Sequence, residues 1–324
     1  MQKRTLGKTG YNVSEIGLGC WQLGGGFGPV EDQTATEILD QANALGVNFW
    51  DTADVYGGGQ SETRIGKHPK NADVLVATKL GRNGELFPDS YSKQKVRESL
   101  EGSVKRLGVE TLDLAQLHCV SIEVLRDGAI FDWMEEFQRD GLVRYYGASV
   151  ETVEQAKICL ERDSVATLQI IFNMLRQEMA DEILPRAAEQ NVGIIVRLPL
   201  ASGLLSGKMT KSQTFDEADH RNFNRDGDKF FVGETFAGLP FETGVDLVDE
   251  LKTKLPEGAP LAQLALRWIL DHPQVSSVIA GVSKTEQLAS NVAATELTPF
   301  EPKLMEELST WYRNDVRPNI RGDI

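Results

Sequence analysis

The sequence predicts an α/β protein, a single-domain (β/α)8 TIM barrel that spans residues 1–324. Short apolar runs alternate with longer amphipathic segments, and this order indicates parallel strands joined by crossover helices. The apolar runs do not alternate strictly between polar and apolar residues, as expected for strands buried on both faces. There are eight such runs, enough to close a barrel. Fewer would leave an open, doubly wound sheet, which is the alternative fold.

The predicted elements follow one another in regular order, and two segments depart from that order. Residues 202–240, rich in Gly, Asp, Asn and Phe, predict a long loop after the seventh strand, and Pro299–Arg313 predicts an extra C-terminal helix. No Ser/Gly linker or shift in composition marks a second domain. The predicted strands are Glu15–Gly19, Val47–Asp51, Val74–Lys79, Leu112–His118, Tyr145–Ser149, Thr167–Phe172, Gly193–Leu198 and Val275–Ala280. The predicted helices are Thr34–Leu45, Ser92–Leu107, Glu123–Arg139, Val153–Glu161 and Glu182–Gln190.

The composition excludes several classes of function. Hydrophobic residues make up 41% of the chain and charged residues 25%, an ordinary globular mixture. The net charge of −14 repels phosphate backbones, so we expect no nucleic-acid partner. The sequence lacks an apolar run suited to a signal peptide or a membrane span, so we expect no membrane partner and a cytoplasmic location. No pattern in the sequence predicts the oligomeric state.

The cysteines and histidines show no metal-binding pattern, so we expect no metal. The three cysteines are odd in number and form no CxxC pair, which argues against a zinc ribbon and against a disulfide framework, and favours a reducing compartment. Three of the histidines lie in loop-like contexts without the spacing of metal ligands. These residues are Cys20, Cys119, Cys159, His68, His220 and His272.

Polar residues end three consecutive predicted strands. The second strand ends in Asp51, the third in Lys79 and the fourth in His118. Strand ends are often polar because loops begin there, and this would explain any one of the three. In a parallel barrel, however, the C-terminal ends of all strands share the face that holds active sites. We therefore expect the carboxylate, the amine and the imidazole to lie together.

Tyr56 is a predicted member of the same group. It follows Asp51 by five positions and precedes a run of three glycines, Gly57–Gly59, so its loop could fold back over the barrel mouth. A surface tyrosine is the alternative. The ammonium of Lys79 would stabilise a phenolate and lower the phenol pKa from roughly 10 towards neutrality. A phenol tuned in this way donates a proton at physiological pH.

Several segments together resemble the signature segments of the aldo-keto reductase family, in the order found in that family. The resemblance implies reduction of a carbonyl compound by NADPH, with Tyr56 as general acid. It implies that Lys79 lowers the pKa of Tyr56, that Asp51 pairs with Lys79, and that His118 polarises the carbonyl. The similar segments are Leu6–Gly10, Ile16–Gly19, Asp51–Gly57, Val76–Lys79, Asp113–His118 and Ala280–Lys284.

The resemblance also implies where the cofactor lies, since no complete GxGxxG fingerprint is present. It implies an extended NADPH or NADP+ across the barrel mouth, with the adenosine 2′-phosphate beyond the eighth strand. Ser149 and Gln169 would hold the nicotinamide carboxamide, and Leu198–Lys208 the pyrophosphate. The implied cofactor-binding residues are Cys20, Trp21, Asp51, Ser149, Gln169, Arg197, Pro199, Leu200, Ser202, Gly203, Lys208, Arg221, Gly281, Ser283, Lys284, Gln287 and Asn291.

Plainer interpretations remain open for several of these residues. Lys284 in the first turn of a helix suits a phosphate, but Ser283 could simply cap a solvated helix. Gln169 could be a core glutamine satisfied within the barrel. Arg197 stands where relatives often carry an aromatic residue. It would either stack on the nicotinamide and disfavour cationic NADP+ or turn away to pair with an acid.

The activity and the substrate also leave alternatives. A cofactor-binding regulatory or sensor subunit is one, and a sugar or alcohol dehydrogenase working in the oxidative direction is another. The loops expected to select the substrate are Trp21–Pro29, Cys119–Asp127 and Phe215–Phe241. Their aromatic residues hint at an apolar wall: Trp21, Phe27, Phe230, Phe231 and Phe236.

Overall fold

Eight parallel strands form a closed barrel, so the predicted fold class is confirmed and the open sheet is wrong. The last strand closes on the first strand of the barrel, with Val278 opposite Ile16 and Gly281 opposite Gly19. The computed structural model describes residues 1–25, 30–217 and 219–324. The strands are β1 (Lys3–Thr5), β2 (Asn12–Ser14), β3 (Ile16–Gly19), β4 (Phe49–Asp51), β5 (Leu75–Leu80), β6 (Leu112–His118), β7 (Val143–Ser149), β8 (Thr167–Ile171), β9 (Gly193–Arg197) and β10 (Val275–Gly281). Of these, β3 to β10 make the barrel.

The antiparallel hairpin of β1 and β2 was not predicted from the sequence. Leu6 and Val13 of this segment are fully buried and belong to one apolar cluster with Phe49 and Ile279 of the barrel. Asn48, just before β4, fixes the hairpin because its Oδ1 accepts a hydrogen bond from the Ser14 amide at 2.7 Å. The hairpin therefore covers the end of the barrel where the strands begin, and it leaves the opposite end open.

Helices fill the connections between the strands, and one prediction needs correction. The helix predicted over Glu123–Arg139 breaks at Gly128, whose φ of 82° lies in the left-handed region. The helices of the first part are α1 (Asp32–Ala44), α2 (Gln60–Lys67), α3 (Lys93–Leu107), α4 (Ile122–Asp127), α5 (Ala129–Arg139) and α6 (Val153–Leu160). Those of the second part are α7 (Ile183–Glu189), α8 (His220–Phe223), α9 (Phe241–Lys254), α10 (Leu261–Leu270), α11 (Thr285–Ala293) and α12 (Pro302–Trp311).

A long irregular segment follows β9, as the composition of residues 202–240 predicted. It covers part of the barrel mouth. Its described residues form no strand and only one short α-helix, α8, besides single 3-10 turns. The chain then continues through α9 and α10 before it returns to β10, and α12 is the expected C-terminal helix. Among the residues that the structure describes, no helix combines the length and apolar character needed to cross a membrane.

The strand register places the predicted chemical groups at one rim. Asp51 lies opposite Ala77, Lys79 opposite Gln116, and His118 opposite Ser149. Side chains two positions apart on a strand share a face, so Gln116 and His118 both point to the same side of β6. The barrel therefore brings an acid, an amine and an imidazole to one mouth.

We expect that Gly147→Ala in β7 lowers the free energy of unfolding by about 1–3 kcal/mol, the usual cost of overpacking. A Cβ at this glycine would lie 2.0 Å from Thr167 Oγ1 and 2.5 Å from Thr167 O, on the neighbouring strand β8. Denaturant unfolding measures the change. Gly84→Ala is the control, because a Cβ there meets nothing within 4 Å. Equal midpoints for the two variants would contradict the expectation.

Candidate active site

A buried ion pair lies where β4 and β5 end. Lys79 Nζ contacts Asp51 Oδ1 and also donates to Thr52 O at 2.9 Å. The second carboxylate oxygen, Asp51 Oδ2, accepts from Gln169 Nε2 at 2.8 Å and from Gln116 Nε2 at 3.1 Å. Burial lowers the pKa of Lys79, the nearby carboxylate raises it, and the net direction is upward. Lys79 is therefore an ammonium at neutral pH.

Tyr56 lies on a tight turn that carries its hydroxyl over this ion pair. The turn passes so close to the chain at Gly24 that a Cβ on Gly57, which has a φ of 62°, would lie 2.6 Å from Gly24 O. Lys79 Nζ donates to the Tyr56 hydroxyl at 3.4 Å. The Trp21 ring covers Tyr56 in a stacked arrangement, with 6.1 Å between ring centroids. The phenol and the ammonium are therefore brought together, as the sequence predicted.

His118, at the end of β6, faces Tyr56 edge to face with 5.8 Å between ring centroids. Its Nδ1 atom is buried and has no hydrogen-bond partner within the described part of the chain. Burial lowers the pKa of His118 well below its usual value, and the cations Arg82, Lys79 and Arg197 lower it further. The imidazole is therefore neutral at pH 7 and offers one N–H donor.

The expected shift of the Tyr56 pKa towards neutrality is wrong for these residues by themselves. Burial raises the pKa of Tyr56, Lys79 lowers it, and burial has the larger effect, so the net direction is upward. The sequence argument counted the charge of the ammonium and left out the desolvation of the phenol. Tyr56 is consequently a neutral phenol at pH 7, which is the protonation state of a proton donor.

A chain of amides links the ion pair to the far wall of the mouth. Ser149 Oγ donates to Gln169 Oε1 at 3.5 Å, and Gln169 Nε2 also donates to Gln116 Oε1 at 3.3 Å. In the structure the Gln169 side chain thus donates a hydrogen bond directly to Asp51. This agrees with the alternative prediction that Gln169 is a core glutamine with its hydrogen bonds made within the barrel. Gln116 was missed by the sequence analysis. Its position two residues before His118 on one strand was the available signal.

One cavity of about 630 Å³ opens above these residues. Most of the predicted site residues line it: Cys20, Trp21, Asp51, Tyr56, His118, Gln169, Arg197, Pro199, Leu200, Ser202, Gly203, Lys208, Arg221, Gly281, Ser283 and Gln287. Four predicted residues do not line it, namely Lys79, Ser149, Lys284 and Asn291. The sequence analysis assigned no role to four further lining residues, Arg82, Met209, Gln213 and Ile279. The other lining residues lie in segments that it named: Leu198 and Ser206 in the expected pyrophosphate segment, Gln22, Phe230 and Glu234 in the expected substrate loops, and Gly19, Val55 and Ala280 in the segments similar to the family.

Cationic groups also lie in and beside the cavity. Arg221 lines it and is held by Asp219, with Arg221 Nη2 2.5 Å from Asp219 Oδ2. At the start of α11, the Gln287 side chain accepts from the amides of Ser283 and Lys284 at 2.7 and 3.2 Å. The cap is therefore Gln287 rather than the Ser283 side chain that the plainer alternative named. Lys284 is exposed and forms none of the salt bridges found among the described residues.

Arg197, the unusual residue at the end of β9, has an acidic partner. Its Nη1 lies 3.2 Å from Glu234 Oε1, and its Nη2 lies 3.3 Å from Val150 O and 3.4 Å from Cys119 Sγ. It also lines the cavity. The pairing matches the second alternative, in which the arginine turns to an acid. Glu234 offsets part of its charge, which weakens the expected discrimination against NADP+.

The aromatic wall expected from the substrate loops is only partly formed. Trp21 and Phe230 line the cavity, whereas Phe231 and Phe236 are absent from its lining. Phe236 is instead buried against Phe241, with 4.9 Å between ring centroids. Phe27 and the rest of residues 26–29 lie outside the described residues. Charged residues, Arg82 and Glu234 among them, line part of the cavity wall that was expected to be apolar.

The donors of this cavity fit a nicotinamide dinucleotide. Its amide and imidazole groups, from Gln169 and His118, suit a carboxamide, and His118 Nδ1 is a buried atom without a partner in the described chain. Its guanidinium and ammonium groups, from Arg221 and Lys208, suit phosphates. Ser202, which also lines the cavity, and the neighbouring Ala201 have left-handed backbone, with φ of 55° and 48°. Strain of this kind is often retained at ligand sites.

The chain is similar to proteins of one family over nearly its whole length. The model of the Aldo/keto reductase family matches residues 15–312. The chain is 32% identical to the aldo-keto reductase YhdN of Bacillus subtilis, over 92% of this chain and 89% of that protein. It is 28% identical to the NADH-specific methylglyoxal reductase of Escherichia coli, over 95% and 98% of the two chains.

Two solved structures extend the similarity to the fold. Aldo-keto reductase AKR11C1 from Bacillus halodurans, in its holo form, is 30% identical with a TM-score of 0.77, and the match covers 96% of each chain. Glycerol dehydrogenase AKR11B4 from Gluconobacter oxydans is 27% identical with a TM-score of 0.79, and the match covers 100% of this chain and 98% of that one. The barrel and its family are thus supported by sequence and by structure.

Removal of one partner of the buried ion pair tests how far the site depends on it. We expect Lys79→Met to lower the free energy of unfolding by about 3–5 kcal/mol, because the Asp51 carboxylate stays buried without its counter-charge. The double variant Asp51→Asn/Lys79→Met recovers most of that loss. Lys93→Met removes an exposed pair with Glu136 and costs about 0–1 kcal/mol. Guanidinium unfolding compares the variants, and equal losses for both lysines would refute the expectation.

Proposed function

Because the chain belongs to the aldo/keto reductase family, we propose that it is an oxidoreductase that uses NADPH to reduce an aldehyde or ketone to an alcohol. One observation carries the proposal. The Tyr56 hydroxyl lies 3.4 Å from an ammonium that a buried carboxylate holds, beside a neutral imidazole, at the wall of one cavity. A regulatory or sensor subunit would need the cofactor site but not this proton-donating group. The arrangement therefore favours an enzyme.

The side chains of the mouth divide the chemistry among them. A reduced nicotinamide supplies a hydride when it is bound. Tyr56 gives its proton to the carbonyl oxygen, and Lys79 stabilises the phenolate that remains. His118, being neutral, donates an N–H hydrogen bond to the same oxygen and orients the carbonyl. Asp51 keeps Lys79 charged, so the oxygen that gains negative charge faces fixed positive charge.

Residues that line the cavity, together with Ser149 and Lys284 next to lining residues, suggest how the cofactor is held. Gln169 and Ser149 would bond the carboxamide, and the backbone of residues 198–208 would contact the pyrophosphate together with Lys208. Lys284 and Arg221 would bind the 2′-phosphate that distinguishes NADPH from NADH. Asp219 competes for Arg221, so Lys284 is the main discriminating cation. The relative in Escherichia coli is named as NADH-specific, so NADH is the alternative cofactor.

A second proposal concerns the direction of the reaction. One similar structure is named as a glycerol dehydrogenase, which favours alcohol oxidation as the alternative to carbonyl reduction. Because Arg197 is paired with Glu234, its charge disfavours cationic NADP+ less than an unpaired guanidinium would. We propose a cytoplasmic location because all three cysteines are free thiols.

Removal of the Tyr56 hydroxyl tests the acid. We expect Tyr56→Phe to lower kcat by about 10²–10⁴-fold, the usual contribution of a general acid, while NADPH affinity stays within about two-fold. Loss of NADPH absorbance with a reactive aldehyde measures kcat, and fluorescence titration measures affinity. Tyr11→Phe is the control, since Tyr11 packs on Tyr145 outside the cavity lining. Full activity in Tyr56→Phe would refute the assigned role.

Removal of the exposed cation tests the cofactor. We expect Lys284→Met to raise the KM for NADPH by about 10–100-fold, the equivalent of one charge-assisted hydrogen bond, and to leave the KM for NADH unchanged. Lys303→Met, an exposed lysine on α12, is the matched control. Steady-state kinetics with each cofactor give the values. A lower KM for NADH than for NADPH in the unmodified enzyme would contradict the proposal.

A further inference from the structure

Four charged side chains form a cluster at the mouth that the proposed chemistry does not use. This mouth cluster consists of Arg82, Glu151, Arg197 and Glu234. Arg82 Nη2 lies 2.7 Å from Glu151 Oε1 and 3.2 Å from Glu234 Oε1, and Arg197 Nη1 lies 3.2 Å from Glu234 Oε1. The exposed fractions of the four side chains lie between 7% and 17%. So many buried charges in one place call for an explanation.

The two arginines of the mouth cluster stand beside the reacting groups. Arg82 and Arg197 line the same cavity as Tyr56 and His118. Both guanidiniums lower the pKa of His118, and Arg197 also lowers that of Tyr56. The two guanidiniums therefore face the same cavity as the reacting groups, within which a carbonyl compound would contact Tyr56 and His118.

The cluster does not suit a metal ion. Ligand atoms of Cys119, Glu151 and Glu234 lie within 4.8 Å of one another, the spacing of a cation site. Both carboxylates, however, already form ion pairs: Glu151 with Arg82, and Glu234 with Arg82 and Arg197. A metal ion would have to approach two guanidiniums at close range in a site of low dielectric constant. The opposite charge is favoured.

The balance of charge leaves the cluster short of negative charge. Burial raises the pKa of Glu234, Arg82 and Arg197 lower it, and the net direction is downward, so Glu234 is ionised. Burial and Glu234 raise the pKa of Glu151, which is therefore the weaker anion of the two.

The surrounding groups do not make up the deficit. Burial raises the pKa of Cys119, whose thiol is neutral. Arg176 Nη2 donates to Glu151 O at 3.5 Å. Burial lowers the pKa of Arg176 and Glu178, which its charge faces, raises it, so Arg176 brings no negative charge to the cluster. Arg197 Nε is buried and makes no hydrogen bond within the described chain. Two guanidiniums thus face one full and one partial negative charge, with a donor unused.

We propose that the carbonyl substrate carries a carboxylate group, which the guanidiniums of Arg82 and Arg197 bind while its carbonyl faces Tyr56 and His118. The inference rests on the proposed function and specifies its substrate class. Guanidinium forks match carboxylates in shape, and charge-assisted bonds of this kind are strong. Glu151 would then be a competitor for Arg82 rather than a ligand of the substrate.

Two aldehydes of the same size test the inference. The substrates 4-carboxybenzaldehyde and 4-carbamoylbenzaldehyde differ in charge and share one carbonyl. The unmodified enzyme with NADPH should give a kcat/KM at least about 10-fold higher for the carboxylate, in line with one charge-assisted interaction. The measured quantity is the ratio of the two kcat/KM values at pH 7.

Three variants show whether the mouth cluster sets that ratio. Arg82→Gln brings the ratio close to one, and Arg82→Lys gives a value between, because the charge is kept without the fork. Glu151→Gln raises the ratio, since the competing carboxylate is gone. This opposite effect keeps the test valid if Arg82→Gln fails to fold. Arg126→Gln, an exposed arginine paired with Glu154, is the matched control.

The outcomes separate this inference from the proposed function. Reduction of both aldehydes at a ratio near one, unchanged in Glu151→Gln, overturns the carboxylate and leaves the reductase in place. No consumption of NADPH or of NADH with either aldehyde overturns the reductase, and the carboxylate inference with it. A ratio that falls in Arg82→Gln and rises in Glu151→Gln establishes both.

Discussion

The ion pair between Asp51 and Lys79 is the interaction on which the rest of the site depends. Both residues are almost completely buried, so each charge is stable only because the other is present. The side-chain amides of Gln116 and Gln169 donate further hydrogen bonds to the Asp51 carboxylate, and the Thr52 carbonyl accepts one from the Lys79 ammonium. The barrel makes the buried ion pair possible, because its adjacent parallel strands β4 and β5 end next to each other and the two side chains are in direct contact, with no water between them. The fixed positive charge then lowers the pKa of both neighbouring rings, against the effect of burial at Tyr56 and together with it at His118.

Burial acts on the two proton-bearing rings in a consistent way. It keeps Tyr56 a neutral phenol and His118 a neutral imidazole, since each loses hydration in its charged form. The rings therefore enter the reaction as donors, one of a proton and one of a hydrogen bond. A nearby ammonium makes the phenol a stronger acid than burial alone would allow. The site combines desolvation with one buried charge, and neither effect would be enough by itself.

The irregular segment after β9 contributes charge as well as cover. It supplies Glu234, which pairs with both arginines of the mouth cluster. The C-terminal tail contacts this segment and holds the segment in place. Arg321 donates to Gly238 O at 3.1 Å and pairs with Asp226 at 2.5 Å. Arg176 joins the carbonyls of Ala237 and Asp323. The substrate side of the cavity is thus coupled to the end of the chain, whereas the catalytic side is held by the strands.

The sequence by itself determined the barrel, its eight strands and the residues that end three of them. These follow from periodicity and order along the chain, because parallel strands must share the rim at which Asp51, Lys79 and His118 lie. Gln116 could have been added from its spacing on β6. Only the tertiary structure decided the net direction of the Tyr56 pKa, the pairing of Arg197 with Glu234 and the place of Arg82. Desolvation and ion pairing depend on distances through space, and an irregular loop leaves no periodic trace of them in the sequence.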